Sequence, residues 1–308
     1  EWLANDLAYV PMDHLVVLNL HIPLVPDINR SSKKNQVENR KAIYNLLRGR
    51  RAVSLAGHTH TVARFLPGEE LSGWQEPIPF EQIIVGAASG SWWSGNLDTA
   101  GVPASYMRCG APRGHMIFDF DQNSYSGKYK AHARPKKQQM HLSFINESFS
   151  TWYKTITTEN NRHENISSDH LNAITTDDLT TGSLVANIWA ASRHAQVFCR
   201  FDDRQPIRAQ WRTDLKDPYA LTSQLCVRQS TSDNNDQSSY ATDSVDSLPM
   251  YYWTVEDRST HLWHCNLPQD LKPGLHSVTV NVEDSYGHIF KEVKLFRLST
   301  PTFYDARF

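Results

Sequence analysis

Residues 54–65 read SLAGHTHTVARF, and the two histidines at 58 and 60 decide how the first third of the chain folds. They follow the short apolar run 52–57 (AVSLAG), which predicts a strand buried in a sheet. An extended backbone past Gly57 would point His58 and His60 to the same side, because side-chain direction along a strand repeats every two residues. Upstream, HLVVLNLH (14–21) is a near-continuous apolar run between Pro11 and Pro23. It predicts a second strand, buried on both faces, that ends in His21. Between the two, VENRKAIYNLLRG (37–49) carries Ile43, Leu46 and Leu47 at helical spacing, with Arg48 in the last turn and Gly49 as the cap.

Helix, strand, helix, strand predicts an α/β unit with parallel strands. Sites in such sheets assemble at the carboxyl ends of neighbouring strands, so His21, His58 and His60 are expected to converge there. Neutral imidazoles suit Zn, Fe, Ni and Cu, and Gly57 would allow a close approach of backbone and ligands. QIIVGAAS (82–89) predicts a further strand. Within 114–131, the alternation of Met116, Phe118 and Phe120 before Asp121-Gln122-Asn123 predicts a hairpin.

The pattern changes at HARPKKQQM (132–140), a basic, proline-containing stretch that reads as a linker. Beyond it GSLVANIWAAS (182–192), AQVFCRFDD (195–203) and HSVTVNVEDSYGHIFKEVKLFRL (276–298) are strand-like, and the last predicts a hairpin around Asp284-Ser285-Tyr286-Gly287. Their spacing predicts an immunoglobulin-like sandwich. Residues 229–249 are too polar to bury and read as a mobile loop. A length of 308 residues fits two domains, placed at 1–134 and 138–308.

Composition excludes some classes of function. The net charge of −2 offers no basic excess for nucleic acid. No apolar stretch approaches the roughly 18–20 residues of a transmembrane helix. Cys109, Cys199, Cys226 and Cys265 form no C-x-x-C, which argues against a zinc ribbon and leaves room for one disulfide in the second half. The opening EWLANDLAYVP shows no signal peptide, and Trp2, Leu3 and Leu7 share one face of a predicted helix. HLWHC (261–265) offers His261, His264 and Cys265 in a strand-rich setting, where they read as structural. His14, His115 and His132 stand alone in the sequence, and Arg113 reads as a solvated turn residue ahead of a contact to a phosphate oxygen.

H-I-P after an apolar strand, then G-H-T-H after another some thirty-five residues on, resembles the last two metal-binding blocks of calcineurin-like metallophosphoesterases. GAASGSWWSG (86–95), GAPRGHMIFDFDQNSYSGKYKA (110–131) and the β-rich tail are similar to a bacterial branch with its own carboxy-terminal domain. The resemblance implies the carboxy-terminal half of an αββα catalytic sandwich, followed by the all-β unit. It implies two divalent or trivalent metal ions (Mn, Fe or Zn) that activate a water for attack on a phosphoester. His21 and His58 would serve one ion and His60 the other. Read from the residues alone, Trp92, Trp93 and Asp98 fit either a loop beside the metals that contacts substrate, or a segment in which at least one tryptophan packs as core.

The family's earlier blocks, D-x-H, G-D-x-x-D and G-N-H-D or G-N-H-E, do not occur here. The remaining ligands and the assisting histidine are therefore expected upstream of Glu1, on a missing amino-terminal half, and this segment alone is expected to be inactive. The apolar faces around Val16, Leu18, Val53 and Leu55 are expected to need that half for cover. Two other readings stand beside this one: a self-sufficient hydrolase with a single His₃ zinc, and a non-catalytic binding or packing module. The appended sandwich points to an exported protein.

Overall fold

A computed structural model describes residues 1–90, 93, 97–98, 101–158, 171–225 and 259–301. The first unit opens with α1 (Trp2–Leu7), β1 (Val16–Asn19), α2 (Arg40–Leu46), β2 (Ala52–Ala56), β3 (Val62–Phe65) and β4 (Glu81–Val85). The four strands form one sheet in the order β1-β2-β4-β3. β1, β2 and β4 run parallel and β3 antiparallel. Three strand ends of one polarity thus lie side by side, as the sequence predicts. β5 (Gly114–Asp121) and β6 (Ser124–Ala131) pair along their whole length as the expected hairpin.

β1 departs from expectation, since Val16 and Val17 are half-buried and Asn19 is exposed. The strand lies at one end of the sheet order, and its apolar alternation serves a single cluster with Leu7, Leu47 and Phe80. α1 likewise contributes Leu7 and Leu3 to that cluster, while Trp2 is 73% exposed. The expected need for further cover is also corrected in part. Val53 is 0% and Leu18 8% exposed, covered by this chain's own side chains.

The second unit comprises, in chain order, β7 (Met140–Ile145), α3 (Glu147–Thr158), β8 (Ala173–Thr175), α4 (Asp178–Thr181), β9 (Ser183–Ile188), β10 (Gln196–Phe201), β11 (Ile207–Arg208), β12 (Gln210–Arg212), α5 (Pro218–Leu225), β13 (Leu262–Asn266), β14 (Gly274–Glu283) and β15 (Ile289–Ser299). One sheet has the order β11-β10-β14-β15-β8 and the other β12-β13-β9-β7. Alternate residues of both sheets enter one apolar cluster, with Phe144, Leu184 and Trp263 from the second meeting Val197, Val280 and Phe296 from the first. A Cys199–Cys265 disulfide joins β10 to β13 across it. The predicted mobile loop at 229–249, with Cys226, lies outside the described residues.

The stretch 132–140 is a tied connection instead of an open linker. The His132 amide donates to the Arg113 carbonyl, and buried Gln139 donates through Nε2 to the Tyr129 and Lys136 carbonyls. The two units also share side chains. Val62, Met107, Tyr129 and Ala131 cluster with Trp189 and Ala190. Tyr286, from the β14–β15 turn, donates to Glu81 of β4 and lies under the Arg64 guanidinium of β3.

Candidate functional site

The parallel ladder carries His21 and His58 to one edge. Leu20 donates to the Leu55 carbonyl, and the Gly57 amide donates to the His21 carbonyl at 3.0 Å. Past Gly57 the backbone does not stay extended, which corrects the basis of the sequence argument. His58 and His60 both adopt left-handed conformations, with φ of 71° and 54°. For a residue with a Cβ this conformation costs about 1–2 kcal/mol. The zigzag turns Thr59 and Thr61 into the interior, where their hydroxyls bond each other at 2.7 Å and Thr61 donates to Asp27 at 3.0 Å. The histidines are left facing the strand ends.

The outcome is a convergence of unequal kind. His58 Nδ1 lies 3.2 Å from His21 Nε2, with the rings edge to face. His60 instead donates from Nδ1 to the Gly90 carbonyl at 2.7 Å. That bond fixes the tautomer and leaves the lone pair on Nε2. Burial lowers the His60 pKa, and the positive charges of His58, Arg108 and His21 push in the same direction against the Gly90 bond.

The β4–β5 connection holds this arrangement. Gly90 has φ 55°, and a Cβ there would meet the Ser105 carbonyl oxygen at 1.7 Å, so no other residue fits without moving the loop. Ser105 is itself buried at φ 43° and donates to the Ser89 carbonyl at 2.6 Å. The Arg108 amide donates to the His60 carbonyl, and Cys109 Sγ accepts from the Val62 amide. Asp27, Gly90, Ser105 and Arg108 escaped the sequence reading. Their roles are set by left-handed turns and backbone contacts, which have no periodic signature.

Two imidazole nitrogens 3.2 Å apart fit a metal ion as donors. With bonds of about 2.0–2.1 Å, they would subtend about 100° at the ion. His60, whose pKa burial lowers and whose Nδ1 proton goes to Gly90, is a third donor of the right chemistry. Among the described residues no group of three or more His, Cys, Asp or Glu side chains is gathered tightly enough to hold a metal. His60 is tied through Nδ1 to the Gly90 carbonyl, while His21 and His58 approach each other.

Asp98 is taken up by the protein, accepting from Arg113 Nη2 at 3.3 Å with His132 Nε2 at 3.6 Å. Arg113 is 4% exposed, which corrects its reading as a solvated turn residue. Trp93 lies over its guanidinium and is 49% exposed, while Trp92 lies outside the described residues. HLWHC is structural, as expected. His261 is fully buried against Asn187, and Cys265 forms the disulfide.

The profile of the family described as the C terminal of Calcineurin-like phosphoesterase matches residues 83–290. No curated protein and no solved structure gives a match. The match runs from β4 through β14 into the start of β15 and takes in both units. This chain belongs to the family of calcineurin-like phosphoesterase C-terminal regions.

Proposed function

We propose that this chain, as the C-terminal region of a calcineurin-like phosphoesterase, supplies His21, His58 and His60 to the metal-dependent hydrolysis of a phosphoester. The observation that carries the reading is the 3.2 Å approach of His58 Nδ1 to His21 Nε2 beside a His60 whose Nδ1 proton is held by Gly90. His21 and His58 would hold one ion and His60 the other, with further ligands from outside this chain's described residues. When bound, two ions of Mn, Fe or Zn supply an acidified water and positive charge for the phosphoryl oxygens. In the overall reaction phosphorus gains the water oxygen, the bond to the leaving oxygen breaks, and the alcohol departs with a proton. The protein's own part is to present the imidazoles of His21, His58 and His60 from the ends of neighbouring parallel strands.

The second unit reads as an immunoglobulin-like sandwich that buttresses the first, supported by its two sheets around one apolar cluster and by Tyr286 on Glu81. Its disulfide supports an exported protein, since such bonds persist in oxidising compartments. The segment alone would hold metal weakly and turn over slowly or not at all.

The test is His58→Ala and His60→Ala in the complete protein, measuring metal content by elemental analysis and rate on an aryl phosphate and an aryl phosphodiester. Both are expected to fall together, by at least a hundredfold in rate. Full activity with unchanged metal in His58→Ala overturns the assignment.

A further inference from the structure

We propose that Trp93 is a stacking platform for a ring in the alcohol part of the substrate, an inference that rests on the phosphoesterase reading and names the substrate class. A tryptophan at φ 56° is unusual, because a bulky side chain resists the left-handed region. The surroundings hold it there. The Trp93 amide donates to the Ser89 carbonyl at 3.0 Å, which places the residue one turn beyond the serine that precedes Gly90. The carbonyl that fixes His60 and the indole are thus carried by one stretch of backbone.

The indole is not there to fill the core. Nearly half its surface is open, whereas the side chain beneath it is buried. That side chain is Arg113, whose carbon Cζ lies 5.0 Å from the indole centroid. Nε donates to the Pro103 carbonyl at 3.0 Å and Nη2 to Asp98 at 3.3 Å, so the guanidinium is anchored at both ends. A cation fixed against one part of an indole orients it through the ring quadrupole. An exposed, strained and braced tryptophan three residues along the chain from the glycine that holds His60 is a surface made to receive something flat.

Flat apolar faces in phosphoesters come from sugar rings and nucleobases, and both stack on indole. Asp98, expected to touch substrate, acts here as a positioning residue through Arg113. A substrate with an acyclic alcohol would leave the platform unused.

The experiment uses the complete protein labelled with 5-fluorotryptophan, the Trp93 resonance being assigned from Trp93→Phe. Adenosine and methyl glucoside probe the ring alone, and adenosine monophosphate, glucose 1-phosphate and glycerol 2-phosphate probe hydrolysis. The Trp93 resonance is expected to move with at least one ring probe and not with glycerol 2-phosphate. Trp93→Ala is expected to raise KM about tenfold for the matching ring phosphate with kcat unchanged, and to leave glycerol 2-phosphate within twofold. Trp93→Phe, which keeps a ring, should recover most of the loss. A resonance unmoved by every ring probe overturns the platform, as does a KM that rises equally for ring and acyclic phosphates. Rings that move the resonance in a protein that hydrolyses neither these phosphates nor the aryl phosphate and aryl phosphodiester leave the platform standing and remove the phosphoesterase reading.

Discussion

The β2–β3 connection and the β14–β15 turn both reverse or redirect the chain, and they are built on opposite terms. In the second, the left-handed position falls on Gly287 at φ 79°, and Asp284 caps the turn by accepting from the Tyr286 and His288 amides. Every residue there suits its backbone. In the first, the left-handed positions fall on His58 and His60, whose Cβ makes that region costlier than it is for glycine. The difference separates a turn selected for folding from one selected for what its side chains present, with the strain held by Thr59, Thr61 and Gly90.

The largest break in this comparison is expected in the relaxed unit. Cys199 and Cys265 close a loop with a sequence separation of 66, so replacing both by Ala should cost about 4 kcal/mol through the entropy of the unfolded chain. Denaturant midpoints with and without the bridge measure it. A loss under about 1 kcal/mol would mean that the two sheets hold each other by packing alone, and that the relaxed unit is stronger than its covalent tie suggests.

A smaller effect comes from charge. His261 is fully buried and His141 half-buried, and desolvation pushes their pKa values down to about 4 and about 3. Lys294 and Arg134 add to the shift at His141. Both remain neutral in the folded state while the unfolded chain takes up protons below about pH 6.5. Their contribution is therefore present above that pH and is lost as pH falls. Asp217, which bonds Asn187, opposes them, because burial raises its pKa to about 6 and the folded state then gains a proton first. The net expectation is a loss of about 2 kcal/mol between pH 7 and pH 5. Midpoints that stay flat over this range would show that these histidines are not held neutral. Asp217→Asn should deepen the acid loss by removing the opposing proton.

How much could be read from the chain follows the same division. The strands β2, β4, β5, β6, β9, β10, β14 and β15 were legible because apolar alternation and turn residues act locally. That His21 and His58 end neighbouring strands was legible because β1 and β2 run parallel. The approach of His58 to His21, and the diversion of His60 to Gly90, were not, since both depend on two left-handed residues where extension was the natural expectation. Arg113 was misread for a related reason. Its anchors, Asp98 and the Pro103 carbonyl, come from a connection with no period to follow.

The smallest effect tests the strain itself. Asparagine tolerates the left-handed region better than histidine, by a local hydrogen bond from its short side chain. His58→Asn should therefore stabilise the fold by roughly 0.5–1 kcal/mol, even as it removes the ring nitrogen 3.2 Å from His21. A matched substitution in the relaxed turn, Ser285→Asn, has no such strain to relieve and should leave stability within about 0.5 kcal/mol. Higher stability with weaker metal binding in His58→Asn would show that the chain holds histidine at 58 against the preference of its own backbone. Lower stability in that variant would mean that the His21–His58 contact outweighs the strain, and that the histidine edge supports the fold as well as the chemistry.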